Sequence, residues 1–391
     1  MTKHAEEIKQ MKHPYLSEEH EIFRKSFRKF LEKEAVPHYE RWEEERIIPR
    51  SFWVKMGEQG FLCPDLEEEY GGSGVDWGFA VIINEELERV GSGFIGFGLH
   101  SDITVPYIAA YGNELQKQRW LPKCTSGESI TAIAMTEPGT GSDLANIKTT
   151  AILDGDHYIL NGQKTFITNG IHADLVIVAC KTDPSAVPKH KGVSLVVVER
   201  DTPGFSRGRK LKKLGLHSQD TAELIFEDCR VPKENLLGEE GKGFTYLMEK
   251  LQQERLVVAI CAQTASEDML ADTIEYVKSR EAFGKSVSQF QNTQFKIAEM
   301  ATEIKMGRVF LDQLISMHMA GEQVVTDVSM AKWRLTETAR KISIECMQLH
   351  GGYGYMEEYK IARRYRDVPV ASIYAGTNEI MKKIIAKNLG L

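Results

Sequence analysis

The hydrophobic pattern changes period twice along these 391 residues, and that double switch leaves few architectures open. From residue 16 to about 126 apolar positions recur every three or four residues. Ile22, Phe23, Phe27, Phe30 and Leu31, set among charges, describe an amphipathic helix that Pro37 limits. Residues 67–78, rich in Gly and acid, read as a loop. From about residue 129 to 232 the pattern is that of strands. Residues 150–153 and 158–160 flank Asp154-Gly155-Asp156, and Asn161-Gly162 precedes residues 164–168; both dipeptides are hairpin turn chemistry. Further β-rich runs follow at 175–179, 193–198 and 222–226. No helix-length segment separates them, so an antiparallel barrel or sandwich is predicted rather than a parallel sheet. After Gly241 the helical period returns, broken at Phe283-Gly284, Gly321 and Gly351–Gly354, as in an antiparallel bundle. The expected fold is α+β: an N-terminal helical domain (1–128), a middle β domain (129–240) and a C-terminal four-helix bundle (241–391).

Charge and composition narrow the function. Lys and Arg total 49 against 56 Asp and Glu, a net charge of −7 with no basic stretch, which argues against a nucleic-acid partner. The six cysteines form no CxxC pair and the eleven histidines no HExxH, so neither a disulfide framework nor a metal site is expected. No apolar run approaches the roughly 18 residues of a membrane span. The N-terminus mixes Lys3 and Lys9 with Glu6 and Glu7, unlike a targeting peptide. A soluble, cytoplasmic protein is expected, or a mitochondrial matrix one if a transit peptide has been removed.

Gly91-Ser92-Gly93-Phe94-Ile95-Gly96 matches GxGxxG as a string, but residues 76–90 before it read as a helix, and the dinucleotide fingerprint needs a strand there. It reads as an interhelical turn that, with Gly98, leaves volume for a ligand or permits close packing. Three other segments carry chemistry. The first, Ala134-Met135-Thr136-Glu137-Pro138-Gly139-Thr140-Gly141-Ser142-Asp143, is a Gly-rich loop after a strand, either a structural turn or a cradle for a phosphate or flavin edge. The second runs from Gln348 to Tyr355 between helices. The third, Ile373-Tyr374-Ala375-Gly376-Thr377-Asn378-Glu379, opens the last helix, with Thr377 or Asn378 as its cap. Finally, Leu247, Leu251, Val258, Cys261 and Ala265 form an apolar stripe with Glu254 in its middle. A carboxylate there is either satisfied by a distant partner or desolvated toward the pKa of a general base. Arg255 points about 100° away along the helix and is no natural partner.

These segments, in this order, resemble the acyl-CoA dehydrogenase family over essentially the whole chain, including residues 164–170 and Arg280-Glu281-Ala282-Phe283-Gly284. The resemblance implies FAD, an acyl-CoA thioester, an electron-transferring flavoprotein as acceptor, and a dimer of dimers. It assigns Met135, Thr136 and Ser142 to the flavin loop, Ser142 also to substrate, and Phe166 and Thr168 to the flanks of the ring. Arg280, Phe283, Gln291, Gln348, Gly351 and Gly352 match positions that reach FAD from the neighbouring subunit, and Thr377 and Glu379 match contacts at the last helix. Many relatives have Trp where Phe166 stands.

Medium- and short-chain relatives place a catalytic Glu at the position of Ala375, which has no carboxyl; only its backbone N–H remains, to polarise the thioester carbonyl. Gln252-Gln253-Glu254-Arg255 resembles the branch that draws its base from a bundle helix, most closely the long-chain members. That resemblance makes Glu254 the base, flavin N5 the hydride acceptor, and Gln252, Gln253 and Arg255 substrate-binding residues. Gly93, Gly96 and Gly98 are expected to leave room for a long acyl chain, each added methylene contributing about 0.8 kcal/mol. The alternatives are an isovaleryl-type branched pocket, a flavin oxidase or monooxygenase on the same fold, and a non-catalytic helical interaction protein.

Overall fold

The computed structural model describes residues 13–391; the stretch carrying Lys3, Glu6, Glu7 and Lys9 lies outside the described residues. The N-terminal part is helical: α1 (Glu18–Glu34), α2 (Tyr39–Glu45), α3 (Arg50–Glu58), α4 (Trp77–Val90), α5 (Val105–Tyr111) and α6 (Glu114–Thr125). Ser17 caps α1 and Asp76 caps α4, each accepting from a backbone N–H of the first turn. In α1 Phe27 and Leu31 are buried and Phe23 and Phe30 pack beside them, but Ile22 faces solvent, so the buried face is narrower than the sequence pattern suggests.

Eight strands form one sheet: β1 (Thr131–Ala134), β2 (Thr150–Asp154), β3 (His157–Thr168), β4 (Leu175–Lys181), β5 (Val193–Glu199), β6 (Phe205–Lys210), β7 (Thr221–Pro232) and β8 (Leu236–Leu237). Their order is β6-β7-β3-β2-β4-β5-β8, with β1 beside β4. Most pairs are antiparallel, as expected, but β1 runs parallel to β4, because the β2–β3 hairpin is the crossover between them. Gly155-Asp156 makes that hairpin's two-residue turn, with Gly155 at φ +61°. Asn161-Gly162 is not a turn. The strand continues through it as a bulge, and a Cβ on Gly162 would sit 2.5 Å from Thr149 Oγ1, so the glycine admits a close strand neighbour. β4 and β5 read as unbroken apolar runs because both faces are covered. Leu175, Ile177, Val193 and Leu195 join the core of the N-terminal helices, while Val176, Val178, Val196 and Val198 join Leu160, Leu224 and Phe226.

Four principal helices follow: α7 (Gly243–Ser279), α8 (Gln291–Met319), α9 (Val325–Leu349) and, after the short α10 (Lys360–Asp367), α11 (Asn378–Asn388). A small hairpin, β9 (Glu281–Ala282) and β10 (Lys285–Ser286), interrupts α7 and α8; Phe283 and Gly284 both take positive φ at its tip, as a type I′ turn requires. The 37-residue α7 is buried on every side from Leu256 to Leu270, not along one stripe, because α4, α8 and α9 all pack against it.

Candidate active site

Glu254 lies in the first half of α7, 4% exposed. The hydroxyl of Tyr107, on α5 and fully buried, donates to its Oε1 at 2.8 Å. Burial pushes the carboxyl up to about 7, while the Tyr107 hydrogen bond and the Arg255 charge pull the other way. A carboxylate in that range can accept a proton near neutrality and remain ionised enough to do so. Arg255 is itself buried, with an unpartnered Nε, and its own pKa is lowered by burial against the pull of Glu254.

Arg255 also acts on a second buried cation. Lys332 of α9 is held down to about 8 by burial and then by the Arg255 charge. Its ammonium donates to the Gly376 carbonyl at 2.7 Å and to Asn378 Oδ1 at 3.2 Å. The turn before α11 is thereby fixed. Within it Ala375 is held at φ +51°, which a side-chain-bearing residue adopts at a cost, and Gly376 at φ +86°. Thr377 caps the helix by accepting from Ile380 N, and Glu379 sits in the first turn, its carboxyl lowered by its own backbone N–H and the Thr377 hydroxyl. Asn378 is buried against Thr336 and Lys332 and is not the cap.

The Gly-rich loop after β1 and the second half of β3 meet at a buried ion pair. Lys164 of β3, fully enclosed, donates to Glu137 Oε1 at 2.9 Å and to the Met135 carbonyl at 3.0 Å. The Glu137 carboxylate accepts from Lys148 N at 2.6 Å and Thr149 N at 2.9 Å. Against its burial, the Lys164 charge and these bonds hold it below the ordinary carboxylate range. Thr165 N closes onto the Thr136 carbonyl at 2.9 Å. Two sequence motifs separated by about one strand are thus stapled together, with Met135 and Thr136 half-buried and Ser142 exposed beyond them. Between Lys164 and Ile167 the register slips, and Phe166 stands out at φ +59°, 68% exposed.

The remaining residues gather elsewhere. Arg280, at the end of α7, lies 5.7 Å from the Tyr353 ring centre and lines a cleft of about 530 Å³ with Gln348, Gly351 and Gly352. Gly351 has φ +58°, and a Cβ there or on Gly352 would meet nothing. Phe283 is fully exposed at the hairpin tip and Gln291 is exposed at the start of α8. The arrangement fits FAD. Gly139 and Gly141 leave open space along the clamped loop, an exposed aromatic stands beside it, and a guanidinium faces an open glycine cleft suited to a phosphate.

The Gln252 amide is engaged within the fold, and one sequence expectation, the volume at the glycines, changes. Gln252 gives its whole amide to the α8–α9 connection, donating to the Glu322 carbonyl (2.9 Å) and His318 Nδ1 (3.1 Å) and accepting from Val324 N (2.8 Å). The glycines before α5 leave no volume. A Cβ on Gly93 would lie 1.9 Å from Ser218 Oγ, one on Gly96 2.4 Å from Asn169 Oδ1, and one on Gly98 2.4 Å from Asn84 Oδ1. They are close-packing positions, and the Asn169 amide donates to the Gly96 carbonyl at 2.9 Å. Tyr107 and Lys332 were not legible as site residues. Lys332 had the same signal as Glu254, a charge on the apolar positions Val328, Leu335 and Ala339 of its helix; Tyr107 had none, being 147 positions from its partner.

Residues 17–128, 132–229 and 241–390 match the family profiles for the acyl-CoA dehydrogenase N-terminal, middle and C-terminal domains. The chain is 49% identical to the pig (Sus scrofa) mitochondrial long-chain specific acyl-CoA dehydrogenase, over 95% of this chain and 87% of that one. It is 39% identical to the mitochondrial isovaleryl-CoA dehydrogenase of Pongo abelii, over 95% and 89%. The crystal structure of an acyl-CoA dehydrogenase from Geobacillus kaustophilus, 70% identical, superposes with a TM-score of 0.97 over 97% of this chain and 100% of that one. The GxGxxG string follows a helix, α4, and no dinucleotide-binding βαβ unit surrounds it among the described residues. By sequence and fold the chain belongs to the acyl-CoA dehydrogenase family of FAD-dependent oxidoreductases.

Proposed function

We propose that this chain dehydrogenates an acyl-CoA thioester to the trans-2-enoyl-CoA, with Glu254 as general base. The observation that carries the reading is the pairing of a buried carboxyl pushed up to about 7 with an alanine at the family's other base position. Glu254 removes the α-proton, which is weakly acidic and needs the thioester carbonyl polarised as charge develops. The Ala375 backbone N–H donates to that carbonyl, and Lys332 keeps the turn in place through Gly376. FAD supplies the acceptor for the hydride leaving the β-carbon. Met135, Thr136, Ser142, Phe166 and Thr168 hold the flavin end, and Thr377 and Glu379 meet it from α11. Arg280, Phe283, Gln291, Gln348, Gly351 and Gly352 serve the FAD of a neighbouring copy, in a dimer of dimers.

The electrons pass to an electron-transferring flavoprotein. A long-chain substrate is supported by the residues around Glu254 and by the 49% identity to a long-chain enzyme, no longer by the glycines. Six free, buried cysteines suit a reducing compartment such as the cytoplasm. The test is anaerobic bleaching of the flavin by saturated acyl-CoAs of increasing length and by isovaleryl-CoA. Glu254→Gln should bind FAD and acyl-CoA yet reduce ~10²–10⁴-fold more slowly. Near wild-type bleaching by that variant would end the assignment, and a maximum at isovaleryl- or butyryl-CoA would end the long-chain reading.

A further inference from the structure

Among the described residues Glu254 has one side-chain hydrogen bond, and its donor comes from α5, 147 residues earlier in the chain. Tyr107 Oη lies 2.8 Å from Glu254 Oε1, and both side chains are buried. Burial, and then the Glu254 charge, push the phenol well above its ordinary range, so it keeps its proton and acts only as a donor. The direction of Tyr107 is itself constrained. The segment Leu99–Thr104 is a π-helical turn, which shifts the rotation of everything after it, and α5 starts there with Pro106 in its first turn. Pro106 has no N–H to offer the Asp102 carbonyl four residues earlier. Gln253 Nε2, from the residue beside Glu254, donates to that carbonyl at 2.7 Å. The two helices are therefore pinned to each other one residue away from the carboxyl.

We propose that Tyr107 is a positioning residue for proton abstraction: its hydroxyl holds Glu254 Oε1, fixes the carboxylate orientation and leaves Oε2 as the atom that takes the proton. The proposal rests on the reading of Glu254 as the base. In the step, the α C–H bond breaks, an O–H bond forms at Oε2, and the phenol proton stays on Tyr107. The other groups that bear on the carboxyl are few. Arg255 on its own helix opposes protonation, and Lys332 on α9 feels the Arg255 charge and donates to Gly376 and Asn378 rather than to Glu254. On α5 Tyr111 acts on Tyr107, and its own hydroxyl goes to Glu249 at 2.7 Å. From the π-helical turn Asp102 faces Asn84, its Oδ2 accepting at 2.7 Å.

The test is the pH profile of kcat/KM on the FAD-loaded enzyme for wild type, Tyr107→Phe and Tyr111→Phe. A hydrogen bond donated to a carboxylate stabilises its charged form, so losing it raises the pKa of the base. The acid limb of Tyr107→Phe should move up by about one unit, on the usual strength of a bond to a charged group. Its loss of rate should therefore be about tenfold greater at pH 6 than on the high-pH plateau. Tyr111→Phe should keep the wild-type limb. Site-specific 3-fluorotyrosine at 107, a stronger donor of nearly the same shape, should move the limb down and keeps the question open to refutation if the phenylalanine variant folds poorly. An unmoved limb in both 107 variants, or a uniform loss at every pH, overturns the proposal. Full activity of Glu254→Gln would instead overturn the base assignment, a separate result.

Discussion

Glu254 and Glu85 are both buried glutamates, and they have been given opposite chemistry. Glu85 of α4 receives Arg24 Nη1 at 2.8 Å on one oxygen and Arg308 Nη1 at 2.8 Å on the other. Against its burial these two guanidinium groups hold its carboxyl far below the usual range. Arg308 grips Glu267 of α7 with two further bonds, at 2.7 and 3.0 Å, and Arg24 and Arg28 reach Glu86. That network ties α1, α4, α7 and α8 together. Glu254 is given a phenol and an arginine that acts by its charge, and its carboxyl rises to about 7. Burial raises the Glu254 carboxyl where no guanidinium is bonded to it, and two bonded guanidinium groups reverse that effect at Glu85.

The largest effect is expected at Arg308. Arg308→Met leaves Glu85 with Arg24 alone and takes from Glu267 its two-pronged partner, and should cost about 3–5 kcal/mol, read by denaturant unfolding of the FAD-loaded protein. The folded fraction should keep its kcat. A large fall in kcat per folded molecule would mean the two regions are not separable.

Glu254→Gln should do the reverse for stability. The unfolded carboxyl ionises near 4.5, whereas the native one holds its proton to about 7, so wild type loses stability between those pH values. Glutamine cannot ionise and still accepts from Tyr107. The variant's advantage over wild type should grow from about pH 4.5 and level off above 7, reaching on the order of 3 kcal/mol at the pKa difference involved. A pH-independent difference between the two would refute the burial argument.

The smallest effect is expected at Gly96, which belongs to neither charge system. Gly96→Ala brings a Cβ to 2.4 Å from Asn169 Oδ1 and should cost about 1–3 kcal/mol by overpacking. The ranking of acyl-CoA lengths should stay as in wild type. A shortened preference would restore the glycines as pocket-lining positions.

Periodicity carried the architecture because each domain's core is built from contacts that repeat along the chain. The α–β–α order, the Gly155-Asp156 turn and the Phe283-Gly284 break are all local in that sense. Asn161-Gly162 misled because a bulge and a turn ask for the same backbone freedom, and only the neighbouring Thr149 distinguishes them. The glycines at 93, 96 and 98 misled for a related reason: a missing side chain is compatible with a void and with a neighbour's close approach, and the nearest neighbours of Gly93 and Gly96, Ser218 and Asn169, are distant in sequence. Glu254 was legible as a charge where apolar residues belong. What it bonds to was not, since Tyr107 lies on an apolar helix whose relation to α7 depends on a π-helical turn.

Glu254 and Arg280 are 26 residues apart on one helix, 280 − 254, which at 1.5 Å per residue is about 39 Å, more than the width of a small domain. No single small molecule meets both ends of that rod. In the proposed assembly each chain therefore lends its base to one cofactor and its arginine to another. Two defective alleles, one lacking the base and one lacking the arginine, would then complement each other: in a mixed pair, one of the two centres inherits both intact groups and the other inherits both lesions.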